Sequence, residues 1–148
     1  MLIKEIMQKN VKTIRSDDNV MEAAKIMNQS RIGSLVAVDG KGKIEGILTE
    51  RDIMRGVVAE GLIASDVKIS EIMTKKVIVI SPDISLEEAA DIMSEYKIKK
   101  LPVVEGGQLV GIVTTTDLIS YEKNLVEKIA FLLGSSEQPT IEGKPFGG

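Results

Sequence analysis

Two heptads, GILTERD at residues 46–52 and GIVTTTD at residues 111–117, repeat one arrangement: a glycine, two apolar residues, a threonine and, three residues on, an aspartate. A strand that ends in the threonine and turns into a helix leaves backbone N–H groups at the junction, and such donors suit a phosphate. Thr49 and Thr114 add hydroxyl donors there. The carboxylates of Asp52 and Asp117 can accept two hydrogen bonds from a ribose 2′,3′-diol, as acidic residues do in dinucleotide folds. Gly46 and Gly111 permit close packing. The same spacing also reads as a relaxed capping box, in which threonine and aspartate satisfy the helix's own N–H groups. Both readings stand, because a cap can exchange a backbone partner for a ligand.

A carboxylate beside a phosphate repels it, so positive charge is expected nearby. The first heptad carries its own in Arg51, where the second has the neutral Thr116. The second copy instead has Lys97, Lys99 and Lys100 ahead of a strand, where the first has Arg31, Gly33 and Ser34. A solvated loop accounts for those lysines equally well. Two binding sites of unequal charge are the expectation.

The rest of the composition argues against catalysis. The 148 residues include no histidine and no cysteine, which excludes cysteine nucleophiles, disulfides, Cys/His-ligated zinc and the usual general base near neutral pH. No catalytic or metal-ligating residues are assigned and the chain is expected not to be an enzyme. A net charge of −3 offers no field for nucleic acid. No apolar run approaches the ~20 residues that cross a bilayer, and the first residues lack the apolar core of a signal peptide. A soluble, cytoplasmic protein with no membrane partner is expected.

The elements that must hold the heptads are themselves duplicated. At a shift of 66, Glu5-Ile6-Met7 falls on Glu71-Ile72-Met73, Asp17 on Asp83, Glu22-Ala23-Ala24 on Glu88-Ala89-Ala90 and Ile26-Met27 on Ile92-Met93; after the glycine turns the shift becomes 65. A long period present only twice indicates a duplicated unit whose copies pack face to face rather than a solenoid. In each copy a β-branched stretch, KTIR or VIVI, reads as a strand. A helix follows, announced by Asn19 with Glu22 and by Ser85 with Glu88 as capping boxes. Strand pairs SLVAV/KIEGIL and KLPVV/QLVGIV turn at Asp39–Gly42 and at Gly106-Gly107, where glycine supplies positive φ. A second helix, RDIMRGVVAEG or TDLISYEKNLVEKIAFLL, closes each copy, the latter at Gly134. The order per copy is βαββα.

Four segments result: repeat 1 at 1–65, repeat 2 at 66–122, a C-terminal helix extension at 123–134 and a tail at 135–148. The tail is rich in Ser, Pro and Gly and is expected to be mobile. Leu125, Ile129, Leu132 and Leu133 lie on one face of the last helix, which needs cover from the chain's own core or from a partner subunit.

The EIM lead-ins, the EAA-x-IM helices, the βαββα order and the G-h-h-T-x-x-D endings, twice in sequence, resemble the CBS domain, and two in tandem resemble a Bateman module, over residues 1 to about 122. The resemblance implies an α+β (mixed α/β) fold: two βαββα repeats related by a pseudo-twofold, sheets packed together with helices outside. It implies two clefts that in relatives take AMP, ADP, ATP or S-adenosylmethionine, no catalysis, and a further pairing of modules, here a homodimer. Relatives place the aspartate on ribose and its neighbours on phosphate, which corresponds here to Thr49, Arg51, Asp52, Thr114, Thr116 and Asp117. Adenine in relatives lies near the first strand and the approach to the hairpin, which correspond here to Lys12, Thr13, Ile32, Gly33 and Ser34, then Ile78, Ile98, Lys99 and Lys100. One departure bears on shape: Pro102 matches the relatives' proline, but the first copy has Val36, so unequal clefts are expected. The expected function is a regulatory adenine-nucleotide sensor that signals energy or metabolite state to a separate effector protein. The alternatives are an S-adenosylmethionine sensor and an oligomerisation scaffold with no ligand.

Overall fold

The structure, a computed structural model, describes residues 1–134. The tail expected to be mobile, 135–148, lies outside the described residues. The first repeat contains β1 (Thr13–Arg15), α1 (Val20–Ser30), β2 (Ser34–Val38), β3 (Ile44–Thr49) and α2 (Glu50–Ile53), which runs on into a π-helical turn at Met54–Val58. The second contains α3 (Ile69–Ile72), α4 (Leu86–Tyr96), β4 (Lys100–Glu105), β5 (Gln108–Thr114) and α5 (Thr115–Leu132). The fold is mixed α+β.

The helices begin where the sequence marks them. Asn19 Oδ1 accepts the Glu22 N–H at 3.0 Å, and Ser85 Oγ accepts the Glu88 N–H at 3.1 Å. The reciprocal half expected of a capping box is made at neither helix: the Ser85 N–H does not donate to Glu88, and the Asn19 N–H goes to Asp18 Oδ1 at 2.8 Å while the Glu22 carboxylate accepts from Lys25 at 3.3 Å. Helical spacing then buries Val20, Ala23 and Met27 on α1 and Ala89 and Met93 on α4.

In the first repeat β2 is central, parallel to β1 and antiparallel to β3. In the second, β4 and β5 form a two-stranded antiparallel sheet. The VIVI strand expected at 77–80 is reduced to one parallel bridge, Ile80 to Val103. Two prolines explain the loss. Thr13 pairs with Val36 in the first repeat, and the same rung in the second would fall on Val79 and Pro102, whose nitrogen has no hydrogen to give. At the other end the Ser16 N–H donates to Val38 O, and the residue equivalent to Ser16 is Pro82. The hairpins turn on Gly42 (φ +82°) and on Gly106 and Gly107 (φ +58° and +79°). Backbone N–H groups of Lys43 and Lys41 donate to Asp39 Oδ1 at 3.0 and 2.8 Å and hold its carboxyl below the usual aspartate value.

Each repeat's lead-in packs into the other repeat's core. Ile3, Ile6 and Met7 join Ile80, Ala89, Met93, Leu101, Val103 and Val113, whereas Val67, Ile69 and Met73 join Ile14, Val20, Ala23, Leu35 and Leu48. The backbone repeats the exchange: Ile3 N–H donates to Ile84 O, and Ile69 N–H donates to Asp18 O, both at 2.9 Å. Gly46 and Gly111 are where the lead-ins cross, since a Cβ on either would lie 2.6 Å from the sulfur of Met73 or Met7. The close packing expected of these glycines is therefore with the opposite copy's methionine. The repeats also meet where Lys100 Nζ donates to Ser34 Oγ at 3.0 Å, two positions equivalent under the 66-residue shift, as a pseudo-twofold requires. The end of α5 stands clear of this core, with Leu125, Ile129, Leu132 and Leu133 exposed.

Candidate functional site

The two heptads form the same junction. Thr49 Oγ1 accepts the Asp52 N–H at 3.1 Å while Asp52 Oδ2 accepts the Thr49 N–H at 3.0 Å. Thr114 and Asp117 make the same pair of bonds at 3.2 and 2.9 Å. The capping-box reading is thus realised twice, in full. It also changes the expected supply of amide donors. The first amide of each helix, on Glu50 and Thr115, donates to Gly33 O and Lys99 O at 3.0 and 2.9 Å, and the third serves the threonine. Of the first three, only the Arg51 and Thr116 N–H groups are left. One amide makes a thin anion site, so a phosphate here would depend on side chains.

The carboxylates have further partners. Asp117 accepts from Gln8 Nε2 on both oxygens, at 3.0 and 3.2 Å, and both oxygens of Asp52 lie 3.4 Å from Thr74 Oγ1. Gln8 and Thr74 are equivalent under the 66-residue shift, and each belongs to the lead-in that crosses from the other repeat. Their backbones pair with Ile112 and Ile47 beside the junctions. Neither was among the candidate residues, although each directly follows its EIM triplet; that placement was the available signal.

The other candidates gather at one end of each sheet. Ser34 pairs with Thr49 and Lys100 with Thr114, and Thr13 opens β1 beside Val36 in the middle of β2. Lys12, Thr13, Arg51, Lys99 and Thr116 are exposed; Ile78 is half-buried against the second core. Lys100 is engaged by Ser34. Ile32 and Gly33 line a groove of about 540 Å³ between α1 and α2, and Ile98 lines one of about 680 Å³ between α4 and α5. These residues therefore border the helical side, whereas Thr49, Asp52, Thr114 and Asp117 face the crossing lead-ins. Among the described residues no cluster of three or more Asp or Glu could hold a metal, and no helix is long and apolar enough to cross a membrane.

Two α+β units with exchanged lead-ins and twin Thr/Asp junctions form a tandem module. The chain belongs to the CBS-domain family, whose model matches residues 3–59 and 69–124. It is 34% identical over 116 residues to the CBS domain-containing protein YhcV of Bacillus subtilis, covering 78% of this chain and 81% of that one. It is 34% identical over 114 residues to the inosine-5′-monophosphate dehydrogenase of Nitrosopumilus maritimus, covering 76% of this chain and 22% of the relative. The chain thus spans most of the first relative and under a quarter of the second. Among solved structures it is similar to the CBS domain pair of protein MJ0100 in complex with 5′-methylthioadenosine and S-adenosyl-L-methionine, with TM-score 0.74 and 36% identity, covering 84% of this chain and 98% of that one. Pairs of this family are typically regulatory ligand-binding sensors and generally not enzymes.

Proposed function

We propose that the chain senses an adenosine-bearing ligand, an adenine nucleotide (AMP, ADP or ATP) in the first instance, and reports its level to a separate effector protein, acting as a homodimer. The observation that carries this reading is the position of Asp52 and Asp117. Each carboxylate belongs to one repeat and touches the lead-in of the other. A ribose diol that takes the carboxylate therefore competes with a contact between repeats, and the equilibrium can shift by as much as the ligand's affinities for the two arrangements differ. Phosphates, where present, are assigned to Arg51 at the first junction and to Lys99 and Thr116 at the second, with Lys12 and Thr13 on the adenine side.

A second reading, an S-adenosylmethionine sensor, is favoured by the scarcity of free amides, since that ligand presents the same diol and no phosphate. The adenosine ligands of MJ0100 support it equally.

Calorimetric titration with AMP, ADP, ATP and S-adenosylmethionine tests both. Binding of a nucleotide is expected, with Asp52→Ala and Asp117→Ala each losing one site while remaining folded, at a cost of about 1 kcal/mol from the weakened cap. A response to S-adenosylmethionine alone selects the second reading. No heat and no thermal shift with any of the four at millimolar concentration leaves only a scaffold.

A further inference from the structure

We infer that Gln8 sets the affinity of the second junction by holding the oxygens of Asp117 that an incoming diol must take, so that the first junction, with Thr74 in that place, is the stronger. This rests on the reading of both junctions as adenosine sites. An ionised carboxylate offers about four acceptor positions. On Asp117 one is used by the Thr114 N–H, and the Gln8 amide spans both oxygens at 3.0 and 3.2 Å. A 2′,3′-diol brings two donors to the same pair of oxygens. It must therefore displace Gln8 or share with it.

At the first junction the competitor is weaker on two counts. Thr74 lies 3.4 Å from both oxygens, near the outer limit of a hydrogen bond. Its hydroxyl also has one proton to give where a carboxamide has two. The position of each competitor is fixed independently of the ligand, because the backbone of Gln8 pairs with Ile112 at 2.8 and 2.9 Å and that of Thr74 with Ile47 at 2.9 Å in both directions. Both residues are exposed. The Gln8 side chain can thus swing into water when a diol arrives while its backbone stays paired with Ile112, poised for the side chain to return. Arg51 and Thr116 bias the two junctions in the same direction for any ligand with a phosphate, so the test must isolate the diol.

The test is calorimetric titration of the full chain in an Asp52→Ala background, which leaves only the second junction, with AMP and with 2′,3′-dideoxyadenosine monophosphate. Gln8→Ala is expected to tighten AMP roughly fivefold, the worth of about one exposed hydrogen bond, and Gln8→Thr to recover part of that gain. The dideoxy ligand should gain nothing from either change, and Asp117→Ala should abolish the AMP heat. Unchanged or weaker AMP binding in Gln8→Ala, or an equal gain with the dideoxy ligand, overturns the inference while the adenosine site survives. No binding of AMP in either background, with or without Gln8, removes the site and the inference together.

Discussion

Arg31 and Lys97 end α1 and α4 in the left-handed region, at φ 53° and 54° with ψ 46° at both. Non-glycine residues seldom accept that conformation, since the Cβ crowds the following carbonyl at a cost of about 1–2 kcal/mol. The turn itself is needed, because the N–H groups of residues 31 and 32 both return to Met27 O, and those of 97 and 98 to Met93 O. Lys97→Gly is therefore expected to raise stability by about 1 kcal/mol, moving the thermal midpoint up by several degrees. Denaturant unfolding of the single variant measures it, and a loss of stability would mean that the lysine side chain packs more usefully than its surface position indicates. At this scale the sequence disclosed short-range chemistry well. Thr49, Asp52, Thr114 and Asp117 were identifiable because their partners lie three residues away. Gln8 and Thr74 were marked only by their place after the EIM triplets, and what they meet was not legible, because they reach their aspartates across 109 and 22 residues.

Among elements, the hairpins and the three long helices α1, α4 and α5 were legible from glycine, capping residues and spacing, while VIVI and the end of α2 were not. Strand propensity describes how a side chain suits a pleated surface; it is silent on whether the neighbouring strand has a donor to offer, and here Pro102 lacks one. Likewise RDIMRGVVAEG reads as one helix, yet it widens into a π turn at Met54–Val58, where a Cβ on Gly56 would lie 2.8 Å from Ile72 of the crossing lead-in. Tertiary approach, absent from any single segment, shapes both. Pro102→Val is the corresponding prediction. It restores the rung between residues 79 and 102 and should add a short third strand to the second sheet, with slowed hydrogen exchange at the new amide of residue 102. Fast exchange there would show that the short strand is limited by something other than the proline.

At the scale of the molecule, duplication and exchange leave no repeat complete without the other's lead-in, which ties the cores to the junctions through Met7-Gln8 and Met73-Thr74. What the exchange does not cover is the far end of α5. Leu125, Val126, Ile129 and Leu132 are all 44–81% exposed, and they continue the apolar groove between α4 and α5 that Leu125 helps to line. Of the two covers that the sequence allowed for this face, the described part of the chain's own core is not the one in place. Contiguous exposed apolar patches mark interaction sites, and a second copy offers the same face, as a twofold interface needs. A homodimer is therefore expected, with a scattering mass twice that of one chain at micromolar concentration. Ile129→Lys should convert it to a monomer, since two ammonium groups would be brought into an apolar seam. The change falls on an exposed residue, so far-ultraviolet circular dichroism and the nucleotide titration should be nearly unchanged. A wild-type chain that is already monomeric would overturn the dimer expectation.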